Sequence, residues 1–211
     1  MCASSLFWRI GLMFGVLCTA VVRGDDGQTL EVGDRLPEFQ CLDEYGLTWN
    51  SRTHVGKQLL VVYFYPSDFS FCCTRQAQRY RDRLRDFCFE GAEVVGVSGD
   101  AVSAHRQFQA THDLGFSLLS DADGQVARKF GVPLRAGGKA MIADEEGHTV
   151  VDAEGKAVSI ARKVTTGRWT FVIDEQGRVL YRNTEVSPVK DSQEVLEFIR
   201  QYRANETTSR K

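Results

Sequence analysis

Two adjacent cysteines, Cys72 and Cys73, stand in the stretch YFYPSDFSFCCTRQAQRY that runs from Tyr63 to Tyr80. Neighbouring Cα atoms across a trans peptide are about 3.8 Å apart, below the usual disulfide range of about 4.4–6.8 Å. A structural bridge between them would be strained, so their reactivity is the more informative question. Cys73 lies where an apolar run has ended at Pro66 and a helical pattern begins. A thiol there meets the positive end of a helix dipole and unpaired backbone N–H groups, both of which favour the thiolate. The thiolate is the nucleophilic form of cysteine. Ser70, three residues upstream, can turn a hydroxyl toward the same spot, and Pro66 shapes the loop and limits water access. An arginine nearby would stabilise both the thiolate and the charge that develops on a leaving oxygen.

The elements that must hold these residues can be read from periodicity. The run LLVVYFY from Leu59 to Tyr65 is continuous, apolar and β-rich, which predicts a buried central strand stopped by Pro66. Ala77, Tyr80, Leu84, Phe87 and Cys88 fall at helical spacing, predicting one helix from Thr74 to Phe89 that ends at Gly91. AEVVGVS, AVSAHRQFQATH, FSLLSD and GQVARKFGV then read as strand, helix, strand and helix. Before them, LPEFQCLDEYGLTWN reads as two short strands about a turn at Glu44-Tyr45-Gly46; after them, RWTFVIDEQGRVLYRN is a hairpin and DSQEVLEFIRQYR a last helix capped by Asp191 or Ser192. Residues 134–167, rich in glycine turns, read as one or two β-hairpins inserted in the domain. The expectation is an α/β chain of thioredoxin-like fold: a mixed central sheet flanked by helices, with an inserted β-hairpin region.

Four segments in order resemble the peroxiredoxins, and most closely their bacterioferritin comigratory protein (PrxQ) branch. YPSDFSFCCTRQA resembles the family's active-site loop, with Pro66, Ser70 and Cys73 at its proline, hydroxyl and cysteine positions. GAEVVGVSGD, FSLLSDADGQVARKFGVP and GRWTFVIDEQGRVLYRN resemble the segments that follow, and the last supplies a cation, Arg168. The resemblance covers roughly residues 30–203, with 134–167 longer than the usual form. It implies a thiol-dependent peroxidase acting on hydrogen peroxide and organic hydroperoxides. Cys73 would attack the O–O bond and become a sulfenic acid. Ser70 would hydrogen-bond the peroxide, Arg168 would hold the thiolate and polarise the O–O bond, and Pro66 would shield the site. The backbone N–H groups of Cys72 and Cys73 would complete the oxygen pocket.

One departure matters. Many members of that branch carry a resolving cysteine five residues after the reactive one, where this chain has Gln78. On one straight helix Cys88 would be about 22 Å from Cys73, beyond disulfide reach. Its helical phase, shared with Leu84 and Phe87, assigns it to the core. Cys72 reads as a partly buried thiol without a role, and Cys41 as a core residue whose distance the sequence does not fix. The expected cycle therefore uses one cysteine, with reduction by an external thiol, either a thioredoxin-like protein or a low-molecular-weight thiol. Two rival readings remain. A thioredoxin-like thiol–disulfide oxidoreductase would use Cys-x-x-Cys, which is absent here. A non-catalytic peroxide sensor would not need Pro66, Ser70, Cys73 and Arg168 together.

Composition excludes other classes. Of 211 residues, 43% are hydrophobic and 26% charged, and a net charge of −2 gives no basic excess for nucleic acid. No cofactor or metal is called for: His105 and His112 lie on one predicted helix with no third ligand and read as exposed or helix-end residues, and GDDG and DEEG read as turns. A monomer or weak dimer is expected from the family likeness. The first 24 residues, with Arg9 before an apolar run from Ile10 to Val22 and small residues after it, read as a signal peptide, so the domain should span 25–205 in an exported protein, periplasmic or secreted. Residues 206–211 read as a disordered tail.

Overall fold

The computed structural model of the chain describes residues 29–144 and 146–209. The elements in chain order are β1 (Gln40–Leu42), β2 (Thr48–Asn50), α1 (Ser51–His54), β3 (Leu59–Phe64), α2 (Phe71–Arg81), α3 (Leu84–Phe89), β4 (Ala92–Ser98), α4 (Val102–His112), β5 (Ser117–Ser120) and α5 (Gln125–Phe130). They continue with β6 (Leu134–Ala136), β7 (Lys139–Met141), β8 (Ser159–Ala161), β9 (Val164–Thr166), β10 (Thr170–Ile173), β11 (Val179–Asn183) and α6 (Asp191–Ser209). One mixed sheet of seven strands, in the order β11-β10-β3-β4-β5-β1-β2, forms the centre. β3, β4 and β5 run parallel, and antiparallel hairpins close both sides.

Every residue of β3 is buried because helices or loops cover both faces of the sheet. Its side chains alternate. Leu59, Val61 and Tyr63 join a core with α2, α3, α4 and α6, through Ala77, Tyr80, Phe87, Phe108, Val195 and Ile199. Leu60, Val62 and Phe64 join a second core with Phe39, Trp49, Val126 and Phe130 on the opposite face. That division decides which cysteines can meet.

The single helix expected from Thr74 to Phe89 is two helices. The N–H of Arg83 bonds to the Tyr80 carbonyl, three residues back, which tightens the end of α2. The Arg81 guanidinium meanwhile reaches the His112 carbonyl on α4 at 2.8 Å. α3 then restarts at Leu84 with Phe87 in the core. Cys88 is exposed and Phe89 88% exposed, so Cys88 is not the core thiol its helical phase suggested.

The 134–167 insertion is one antiparallel hairpin ribbon, one of the two forms expected. β6 pairs with β9 and β7 with β8, and two tight turns at its end carry the bridges Ala143–Thr149 and Val151–Ala157. The last helix passes the expected boundary and runs to Ser209. Arg203 pairs with Glu206 at 3.1 Å one turn on, and the hydroxyls of Thr207 and Thr208 bond back to carbonyls four residues earlier. Residues 206–209, expected as tail, are therefore helical. Asp191 does not cap α6 with its side chain, which points into the core instead. The signal peptide expected over 1–24 lies outside the described residues.

Candidate active site

The site forms where β3 leaves the sheet. Pro66, half-buried, follows the strand, and residues 66–70 turn the chain into α2. Ser70 is the N-cap of α2 with extended backbone, φ −75° and ψ 140°. Its hydroxyl donates to the Ser67 carbonyl at 3.2 Å rather than capping the helix. Among the described residues no side chain caps the first-turn N–H groups of α2, so they present the positive end of the helix dipole to the site. Cys73, third in the helix, sits in that first turn and is 2% exposed.

Arg168, two residues before β10, donates from Nη2 to Cys73 Sγ at 3.2 Å. Its Nη1 donates to Gln76 Oε1. The amide of Gln76 cannot be reversed, because its Nε2 donates at 2.8 Å to Asp191 Oδ2. The same carboxylate oxygen accepts from Tyr80 at 2.7 Å and from Thr170 at 2.9 Å. Burial raises the pKa of Asp191, and the hydrogen bonds from Tyr80, Gln76 and Thr170 oppose the rise. The result is a fixed relay, Asp191 to Gln76 to Arg168 to Cys73, that holds the guanidinium against the sulfur.

The sequence pairing of Cys73 with Arg168 is thus a contact in the fold. Ser70 lies at the head of the same helix and Pro66 at the start of the same turn. Gln76 and Asp191 were missed as site residues. The signal for Gln76 was present: a polar residue within the otherwise apolar stripe of Ala77 and Tyr80, three positions after Cys73. Asp191 gave no such signal, since an acidic residue at a helix start reads as a cap.

A second polar cluster lies under the turn. The carboxylate of Asp68 binds His105 Nδ1 and the Tyr65 hydroxyl, each at 2.8 Å. His105, expected to be exposed or at a helix end, has no exposed surface, because α4 packs it against that carboxylate. Burial disfavours its charge, yet the charges of Asp68 and Asp100 win, and its pKa is raised. Asp144 and His148 lie exposed at the ribbon end, where the Asp144 carboxylate accepts backbone N–H bonds from Glu146 and His148 in a tight turn.

The other thiols are placed away from Cys73. Cys41 packs against the core on the opposite face of the sheet, and its thiol donates to the Ser120 carbonyl at 2.9 Å. Burial, with the nearby Asp121 charge, pushes its pKa up to about 12. Cys72 is exposed and Cys88 rides on α3; all four described cysteines are free thiols.

A model of the AhpC/TSA family matches residues 32–182. The chain is 35% identical over 168 residues to the chloroplastic peroxiredoxin Q of Populus jackii, an alignment covering 79% of this chain and 67% of that one. The crystal structure of peroxidoxin BcpB from Mycobacterium tuberculosis superposes with a TM-score of 0.65 at 28% identity, covering 82% of this chain and 97% of that one. Xanthomonas campestris bacterioferritin comigratory protein, studied for alkyl peroxide reduction, superposes with a TM-score of 0.63 at 25% identity over 82% of this chain and 97% of that one. The export expected from the leader is overturned by the similar Populus protein, which is described as chloroplastic, a destination within the cell.

Proposed function

The chain belongs to the AhpC/TSA family and is a thiol-dependent peroxidase of the peroxiredoxin Q kind, and from that premise we propose that Cys73 is its peroxide-reacting thiol and works in a one-cysteine cycle. The observation that carries the reading is the buried Cys73 sulfur under the Arg168 guanidinium, at the uncapped head of α2. The thiolate attacks the outer oxygen of the peroxide. The O–O bond breaks, the sulfur is oxidised by two electrons to a sulfenic acid, and the departing oxygen takes up a proton as water or an alcohol. Arg168 and the first-turn N–H groups stabilise the negative charge as it moves from sulfur to oxygen. The Ser70 hydrogen is engaged with the Ser67 carbonyl, which leaves the Ser70 oxygen free to accept the peroxide O–H. Pro66 closes the turn beside them.

An external thiol then attacks the sulfenic sulfur, water leaves, and a second thiol releases the mixed disulfide. The one-cysteine reading is supported by the placement of the remaining thiols. A β-sheet separates Cys41 from Cys73, and its high pKa keeps it a poor nucleophile. Cys72 diverges from Cys73 on the helix by about 100°. Organic hydroperoxides are included in the substrate class because the similar Xanthomonas protein was studied with alkyl peroxides.

One equivalent of hydrogen peroxide should convert Cys73 to a sulfenic acid that dimedone traps in nearly full yield. Peptide mapping without dimedone should find no Cys73–Cys41 or Cys72–Cys73 disulfide at stoichiometric level. Either disulfide in stoichiometric amount sinks the one-cysteine cycle while leaving the peroxidase assignment intact.

A further inference from the structure

The turn that delivers Cys73 is strained. Phe69, just before the N-cap, has φ +56°, in the left-handed region that a large side chain rarely adopts. Such a conformation persists only where its surroundings over-determine it. Here the fastenings come largely from the ribbon. The Ala143 N–H bonds to the carbonyl of Phe69 itself at 2.9 Å. Thr166 Oγ1 on β9 donates to the Tyr65 carbonyl at 2.7 Å. Arg162, between β8 and β9, donates from Nη2 to Ser67 Oγ at 2.6 Å and from Nε to Asp100 Oδ1 at 2.8 Å. Asp100 Oδ2 in turn accepts the N–H of Asp68 at 2.8 Å.

The side chain of Arg162 is 4% exposed and that of Asp100 fully buried. The close fit extends to the backbone: a Cβ on Gly99, next to Asp100, would lie 2.2 Å from the Val164 carbonyl oxygen, so the ribbon needs glycine there. Ile142 and Ile160 of the ribbon pack on the core that contains Cys73. These hydrogen bonds fall on residues 65–69, and none of them involves the sulfur.

We propose that Arg162 is a positioning residue for the peroxide reaction: through Asp100 and Ser67 it locks the ribbon onto residues 66–70 and holds the strained turn in the form that aligns Ser70 and the head of α2 with Cys73. This rests on Cys73 being the peroxide-reacting thiol. The lock acts on geometry and leaves the Arg168 contact to the sulfur alone. It therefore governs reactions that need the aligned pocket, and not simple alkylation of the thiolate.

The test compares hydrogen peroxide and iodoacetamide as reactants toward Cys73 in the full chain, in Arg162→Met, Arg162→Lys and Ser67→Ala. The expected result for Arg162→Met is a peroxide rate constant lower by about tenfold or more, since small misplacements in a reacting pocket have effects of that order. Its alkylation rate, and the pH profile of that rate, should stay within about twofold of the parent. Arg162→Lys should recover part of the loss, since an ammonium reaches Asp100 but cannot also hold Ser67 in the same fork. Ser67→Ala keeps the ion pair and tests the lock should Arg162→Met not fold; it should lower the peroxide rate several-fold with alkylation unchanged. If peroxide and alkylation rates fall together, or neither falls in a folded variant, the lock is overturned. A parent protein no faster with peroxide than a free thiol overturns the peroxidase reading, and the lock with it.

Discussion

Arg168→Met is expected to slow the reaction of Cys73 with hydrogen peroxide by roughly 10²–10³-fold, the usual cost of removing a pre-aligned donor from developing negative charge. The guanidinium serves two partners at once, Cys73 Sγ through Nη2 and Gln76 Oε1 through Nη1. Methionine approximates its length and removes both donors and the charge. Arg168→Lys should restore only a part, because an ammonium is a point charge without the planar fork that fits both acceptors. Stopped-flow measurement of the second-order rate constant checks this directly. A methionine variant within about threefold of the parent would mean that the arginine only packs beside the sulfur and takes no part in transition-state stabilisation.

The second large effect falls on stability. Asp191→Ala should destabilise the fold by about 3 kcal/mol or more, because it strands three buried donors at once. Those donors are Gln76 Nε2, Tyr80 Oη and Thr170 Oγ1, all aimed at one carboxylate oxygen. Asp191→Asn should cost much less, since an amide oxygen keeps the acceptor. Burial already raises the pKa of Asp191, so losing the charge there is less costly than at an exposed carboxylate. Urea unfolding of the two variants beside the parent measures the difference. Equal loss in both would show that the carboxylate charge, and not its role as shared acceptor, matters. Asp191→Ala should also loosen the relay to Arg168, so its peroxide rate should fall even below the unfolding transition.

The residues of the candidate site were legible in the sequence because most of their signal is local. Pro66, Ser70 and Cys73 fall within one turn, between a strand and a helix whose patterns switch from continuous apolar to helical spacing. Arg168 was legible only through the hairpin it precedes. The relay behind it was hidden, because nothing in a single chain reveals that Gln76 and Asp191, far apart in sequence, are both fully buried and meet. His105 failed for the same reason: a buried imidazole and an exposed one have the same neighbours in sequence until Asp68 is placed against it. Cys88 shows a different limit. Its helical phase was right for a straight helix, but the helix breaks at 82–83, beside the tertiary contact of Arg81 with α4. The ribbon was readable as β structure from its glycine turns, yet its attachment to the active turn through Arg162 was not, since the partners Asp100 and Ser67 lie in two other segments.

The most direct test of the central claim is the stopped-flow reaction of the reduced protein with hydrogen peroxide, comparing the parent with Cys73→Ser and Cys72→Ser. The account predicts a fast reaction in the parent, its loss in Cys73→Ser, and a rate in Cys72→Ser close to the parent, because only Cys73 lies under Arg168 at the head of α2. A parent no faster than a free thiol, or a Cys72→Ser variant that is the inactive one, would contradict it.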